Sequence, residues 1–177
     1  PPRILQAMSS PCIGHLDPYF LSMMDEVQRL LRFLFKTSND LTIPVSGTGS
    51  AGMETCLVNL VDPGDEVVVC VNGVFGTRMA DIVQRIGGKL IRVDGTWGRT
   101  IDPGDVLKSI KGSNPKVISV VHAETSTGVY QPLEDLADIA HNVGALFLVD
   151  TVTSLGGMVV SLDATGIDAA YSGTQKC

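Results

Sequence analysis

Three groups of residues in this sequence could do chemistry together. The first is Gly47-Thr48-Gly49-Ser50-Ala51-Gly52, between an expected strand at 41–46 and an expected helix. Glycine lets a backbone approach an anion. A helix N-terminus supplies N–H donors and the positive end of a dipole, and Thr48 and Ser50 add hydroxyls. The spacing also matches G-x-G-x-x-G, the fingerprint of a dinucleotide loop. That alternative wants a carboxylate at the end of the next strand to hold a ribose, where Cys70-Val71-Asn72 stands instead. A glycine-rich turn that binds nothing fits the same string. The second group is Asp150, which closes the apolar run Ala145-Leu146-Phe147-Leu148-Val149. A carboxylate there caps a loop or pairs with a cation, and a protonated pyridine nitrogen is such a cation. The third is Lys176, in Ser172-Gly173-Thr174-Gln175-Lys176 after a short strand. A lone loop lysine is ordinarily a solvated charge. Taken together, a lysine, a strand-end aspartate and a phosphate loop are the three anchors of a pyridoxal phosphate site. The lysine forms the Schiff base, the aspartate keeps the ring nitrogen protonated, and the loop holds the phosphate.

Lesser candidates surround them. Phe75 stands three residues past Asn72 at the opening of a helix, where an aromatic either stacks on a cofactor ring or packs. Thr125 and Ser126 offer hydroxyls near the same rim. His122 closes a strand with no nucleophile beside it, so a structural hydrogen bond is expected there. Cys12, Cys56, Cys70 and Cys177 form no metal-binding spacing with the three histidines, and Cys56 and Cys70 read as core residues. No metal is expected. The compartment is expected to be reducing and intracellular, with cytoplasm, peroxisome and mitochondrion not told apart.

These residues need a scaffold. The chain has 177 residues, 44% hydrophobic and 18% charged, with a net charge of −6. That composition supports a core and excludes a disordered chain. The acidic balance lacks the footprint of a nucleic-acid binder, and no apolar run has the length of a membrane span. Asp17 and Pro18 start a long helix to Lys36, with Phe20, Met23, Met24, Val27, Leu30, Leu31 and Leu34 at helical spacing. Further helices are expected at 50–61, 75–86, 103–110 and 133–143. Strands are expected at 41–46, 66–71, 89–93, 116–121, 145–149 and 168–172. Pro44 lacks a ladder donor and weakens the first of these strands. Strands apolar on both faces, alternating with helices, predict an α/β chain: three-layer α/β/α with a mostly parallel sheet. Ligands of such sheets bind beyond the carboxyl ends of the strands, where all three groups fall.

A family resemblance covers essentially the whole chain. Its carriers are Ile13-Gly14-His15-Leu16-Asp17-Pro18, Ser46-Gly47-Thr48-Gly49-Ser50, His122-Ala123-Glu124-Thr125-Ser126-Thr127-Gly128, Val149-Asp150-Thr151-Val152-Thr153-Ser154-Leu155-Gly156-Gly157 and Ser172-Gly173-Thr174-Gln175-Lys176-Cys177. In this order they resemble the class V, fold-type I, pyridoxal-phosphate-dependent aminotransferases, most of all the alanine/serine–glyoxylate group. The resemblance implies an N-terminal arm and long helix over 1–40 and a cofactor-binding large domain over 41–177. It implies that Lys176 is the Schiff-base lysine and Asp150 the partner of the pyridine nitrogen. Thr48, Gly49, Ser50 and Gln175 then match phosphate ligands, and Thr125 a hydroxyl near the ring's phenolic oxygen. Val152 matches a residue packed on the ring face, and Phe75 a stacking position where relatives often carry tryptophan.

The implied activity is ping-pong transfer of an amino group from a small amino acid, alanine or serine, to the keto acid glyoxylate. The resemblance also implies a homodimer in which each partner lends residues to the other's site. Family members are longer. The small C-terminal domain, the arginine that clamps the substrate carboxylate and the partner-derived phosphate ligands are therefore expected outside this sequence. On that view the chain is a fragment that by itself binds cofactor weakly. A ureidoglycine–glyoxylate aminotransferase shares very similar strings, including Thr174-Gln175-Lys176-Cys177, and is the main alternative. Cysteine desulfurases usually place histidine just before the lysine, where Gln175 stands. From another class, a nicotinamide-dependent oxidoreductase would use Gly47–Gly52 and leave Asp150 and Lys176 without a role.

Overall fold

The computed structural model describes residues 1–176; the Cys177 that ends the last string lies outside them. The helices are α1 (Pro2–Met8), α2 (Pro18–Phe35), α3 (Gly49–Leu60), α4 (Val74–Arg85), α5 (Pro103–Ser109), α6 (Glu134–Asn142) and α7 (Leu162–Thr165). The strands are β1 (Glu66–Val71), β2 (Lys89–Asp94), β3 (Val117–Val121), β4 (Ala123–Glu124), β5 (Val129–Tyr130), β6 (Leu146–Asp150) and β7 (Ala169–Tyr171). Five strands form a parallel sheet in the order β2-β1-β3-β6-β7.

The strand patterns follow from burial on both faces. Along β1, Val68 and Cys70 point to a core shared with Val106 of α5 and Leu136 of α6. Val67, Val69 and Val71 point the other way, to Met53 and Leu57 of α3 and Met79 and Val83 of α4. Because side chains alternate along a strand, covering both faces requires an unbroken apolar run. The result is the expected three-layer α/β/α arrangement.

Local signals set most boundaries. The Asp17 side chain accepts a hydrogen bond from the Tyr19 N–H at 2.8 Å, Pro18 takes the first turn of α2, and Lys36 ends it at φ 50°. Asp102 caps α5 in the same way. Only Phe35 of α2 is buried, against Leu155 and Val160. The Ser38 N–H and Oγ–H bond to Asp163 and tie the chain after α2 to α7.

Residues 41–46 correct the expectation of a strand. No strand forms there, and Leu41 and Ile43 are exposed. Pro44 cannot donate to a ladder, and β7 and β2 end the sheet without recruiting this segment. Four elements were not anticipated: the helices α1 and α7 and the antiparallel strands β4 and β5. Each of these strands has two residues, too few to show an alternation.

Candidate active site

The carboxyl ends of β1, β3, β6 and β7 and the N-termini of α3 and α4 lie at one edge of the sheet. An open cavity of about 120 Å³ sits there, and its lining includes Thr48, Gly49, Ser50, Phe75, Asp150, Val152, Gln175 and Lys176. These eight are candidates from the sequence; Arg78, Thr153 and Tyr171 line it as well. Thr125, the remaining one, stands beside them as a hydrogen-bond acceptor of the Lys176 ammonium.

Asp150 is 3% exposed. Its Oδ1 accepts the Val152 N–H and its Oδ2 accepts the Tyr171 hydroxyl, both at 2.9 Å. Burial pushes its carboxyl above the ordinary value, and these two bonds oppose the shift. Glu124 nearby adds to the rise, while Lys176 counteracts it. Tyr171 is driven well above the ordinary phenol value, first by burial and then by Asp150, and so remains a donor. A buried carboxylate with this balance gains from a cation placed against it.

The other end of the cavity suits an anion. Thr48 is the N-cap of the twelve-residue α3, and its side chain makes no capping bond. The first-turn N–H groups of a helix have no intrahelical acceptor and face outward from its N-terminus. A Cβ on Gly49 would lie 3.1 Å from Val152 Cγ2 and 3.6 Å from Gln175 Nε2. Glycine keeps that approach open. The Ser50 hydroxyl accepts an N–H from Arg78 at 2.8 Å, which leaves its own proton free to be donated elsewhere.

Lys176 is exposed, and its Nζ is held by hydroxyls. It donates to Thr125 and, at 2.8 Å, to Thr153, and those two oxygens lie 2.6 Å apart. The ammonium stands 5.1 Å from the centre of the Phe75 ring, and the Arg78 guanidinium is equally distant from that ring. His122 plays the expected structural part: its Nδ1 pairs with Ser154 Oγ at 2.9 Å and its ring leans on Tyr130. Burial lowers its pKa, which favours the neutral ring.

Four site residues escaped the sequence reading: Arg78, Glu124, Thr153 and Tyr171. Arg78 lies three residues after Phe75, one turn along α4, and that spacing was a usable signal. Tyr171 meets Asp150 because the two are register partners of β6 and β7, which no local pattern announces. The dinucleotide alternative loses its context, since Gly47–Gly52 follows coil rather than a strand. Among the described residues no three His, Cys, Asp or Glu side chains are grouped to hold a metal. None of their helices is long and apolar enough to cross a membrane.

The residues fit pyridoxal phosphate by their chemistry. A buried acid awaits a cation, a helix N-terminus with two hydroxyls awaits an anion, and an amine, an aromatic ring and Val152 line the space between. A parallel α/β/α sheet with this set at its carboxyl edge is the large domain of a fold-type I pyridoxal-phosphate transferase. The sequence pattern of class-V aminotransferases matches residues 7–177, so the chain belongs to that family. It is 40% identical to the (S)-ureidoglycine–glyoxylate transaminase of Bacillus subtilis over 176 residues, 99% of this chain and 42% of that protein. It is also 40% identical to the alanine–glyoxylate aminotransferase of Rattus norvegicus over 175 residues, again 99% and 42%. The crystal structure of an alanine–glyoxylate aminotransferase from Nostoc sp. superposes with a TM-score of 0.93 at 47% identity, covering 97% of this chain and 46% of the other. The chain thus spans less than half the length of these relatives.

Proposed function

We propose that this chain is the cofactor-binding part of an aminotransferase that moves an amino group from a small amino acid, alanine or serine, to glyoxylate. The observation that carries it is the meeting of Lys176 Nζ, the Asp150 carboxylate and the α3 N-terminus on one cavity. Alanine–glyoxylate enzymes among the relatives support the donor and acceptor. A ureidoglycine donor remains the second reading, supported by an equal identity to the Bacillus enzyme.

Pyridoxal phosphate, when bound, supplies a carbonyl for amine exchange and a ring that accepts the electrons left at the substrate α-carbon. The protein does the rest. Asp150 would hold the ring nitrogen protonated, and its two hydrogen bonds keep it aimed. Thr48, Gly49, Ser50 and Gln175 would hold the phosphate. Phe75 and Val152 would confine the ring between apolar surfaces. Lys176 would hold the cofactor through its carbonyl and, as a free amine, would carry the proton away from the amino acid's α-carbon. Thr125 and Thr153 hold that amine in place. A homodimer accompanies this reading. Leu5, Met8, Leu16, Tyr19, Phe33 and Leu41 expose large apolar side chains along the first 45 residues, the kind of surface a partner covers.

The test combines the intact protein with pyridoxal phosphate and borohydride, then screens alanine, serine and ureidoglycine against glyoxylate. A reduced adduct on Lys176 and one preferred donor are expected. A cofactor band that resists borohydride would overturn the assignment of Lys176. Sedimentation of a monomer under assay conditions would remove the dimer.

A further inference from the structure

We propose that Glu124 is a positioning residue for the cofactor site. It fixes the start of α4, and with it Phe75 and Arg78, against the turn that carries Thr125. The proposal rests on the pyridoxal-phosphate reading above. Glu124 is 1% exposed and does not line the cavity. Its Oε2 accepts the N–H groups of Phe75 and Gly76 at 3.1 and 3.2 Å. Its Oε1 accepts the Ser126 N–H at 3.2 Å and the Ser126 hydroxyl at 2.7 Å. The oxygen of that hydroxyl in turn accepts the Val74 N–H at 2.9 Å.

The first three N–H groups of α4 therefore find their acceptors on a turn far away in sequence. The local N-cap is Gly73, which has no side chain to do this. A carboxylate is well placed there, at the positive end of the helix dipole. Gly73 is what lets it approach: a Cβ at that position would stand 2.3 Å from Glu124 Cγ and 2.6 Å from Ser126 Oγ. Gly76 sets the opposite side of the helix, since a Cβ there would meet the Cys70 carbonyl oxygen at 2.8 Å. One carboxylate thus joins the aromatic wall, the Ser50-bound arginine and the hydroxyl that receives Lys176. The mechanism above uses Phe75 and Thr125 directly, Arg78 holds its phosphate-side residue Ser50, and Glu124 has no direct part.

Two variants disturb the contact from its two sides. Glu124→Asp keeps the charge but is one methylene too short to reach both α4 and Ser126. Gly73→Ala leaves the carboxylate intact and pushes it away. Glu124→Gln keeps the length and a carbonyl oxygen for the α4 N–H groups, and serves as the rescue. In the intact protein, E124D and G73A are expected to weaken pyridoxal phosphate binding about tenfold and to change the visible circular dichroism of the bound cofactor. Both should also speed amide exchange at Phe75 and Gly76 in the cofactor-free protein, and E124Q should recover most of the affinity. Wild-type affinity and dichroism in E124D and G73A would overturn the proposal. Failure of both to fold would overturn it too, in favour of a purely structural role. A wild-type protein that gives no reducible link to Lys176 would instead overturn the cofactor reading, which the cofactor-free exchange measurement does not depend on.

Discussion

Asp150 and Lys176 open on the same cavity from opposite kinds of surroundings. Asp150 ends β6, between β3 and β7, almost out of reach of water, with one oxygen held by Tyr171 of β7 and the other by the Val152 N–H in the turn after β6. Lys176 follows the last strand on exposed chain and is held by two threonine hydroxyls from other segments. Burial works against the charge of the first group; the second stands in solvent. The aspartate is preorganised to stabilise a cation and need not move. On the proposed function the lysine would be released and recaptured in each half-reaction, and hydroxyls hold an ammonium without the strength of a carboxylate partner.

The sharpest way to break this contrast is Lys176→Ala. Amino transfer should fall by about 10⁴-fold or more, while the melting temperature of the cofactor-free protein stays near that of the wild type. A large thermal loss would show that the lysine is structural.

Asp150→Asn should lower turnover by about 10²- to 10³-fold, yet act oppositely on the cofactor-free fold. The folded-state pKa of Asp150 lies above its ordinary value. The folded protein therefore holds that proton more tightly than the unfolded chain. The associated stability is fully present below the ordinary carboxylate range and is lost as pH rises through the folded pKa. At neutral pH the cofactor-free D150N protein should consequently melt higher than wild type, with the difference shrinking toward acid pH. Melting curves across pH 4–8 would show it, and a D150N protein that melts lower throughout would contradict the cost assigned to burial.

Smaller effects sharpen the exposed side. Arg78→Ala removes the charged donor to Ser50 and should weaken pyridoxal phosphate about tenfold by titration. Phe75→Ala removes the ring beside Lys176 and should weaken it about three- to tenfold. Equal affinity in both variants and the wild type would detach this wall from cofactor binding.

The two sides of the site also differ in how readable they were. Lys176, Asp150 and the Thr48–Ser50 turn could be found because each directly follows or precedes an element whose period or cap is local. An apolar run ending in aspartate marks a buried strand end without reference to any other segment. Tyr171, Thr153 and Glu124 could not be found this way. Each matters through a partner on another segment, and nothing next to it in the chain records that partner. Residues 41–46 show the reverse error: a strand was expected there, but a strand also needs a neighbour to pair with, and this segment joins neither edge of the sheet.

Periodicity, proline and aspartate caps, and the chemistry of side chains at strand ends were thus determined by the sequence itself, because each depends on atoms within a few residues. The parallel order β2-β1-β3-β6-β7 and its register were decided only in the folded structure. They place Tyr171 beside Asp150, Glu124 beneath α4 and Arg78 on Ser50. Such pairings are settled by how the layers pack, since β1, β3 and β6 are each apolar enough to pair with several others.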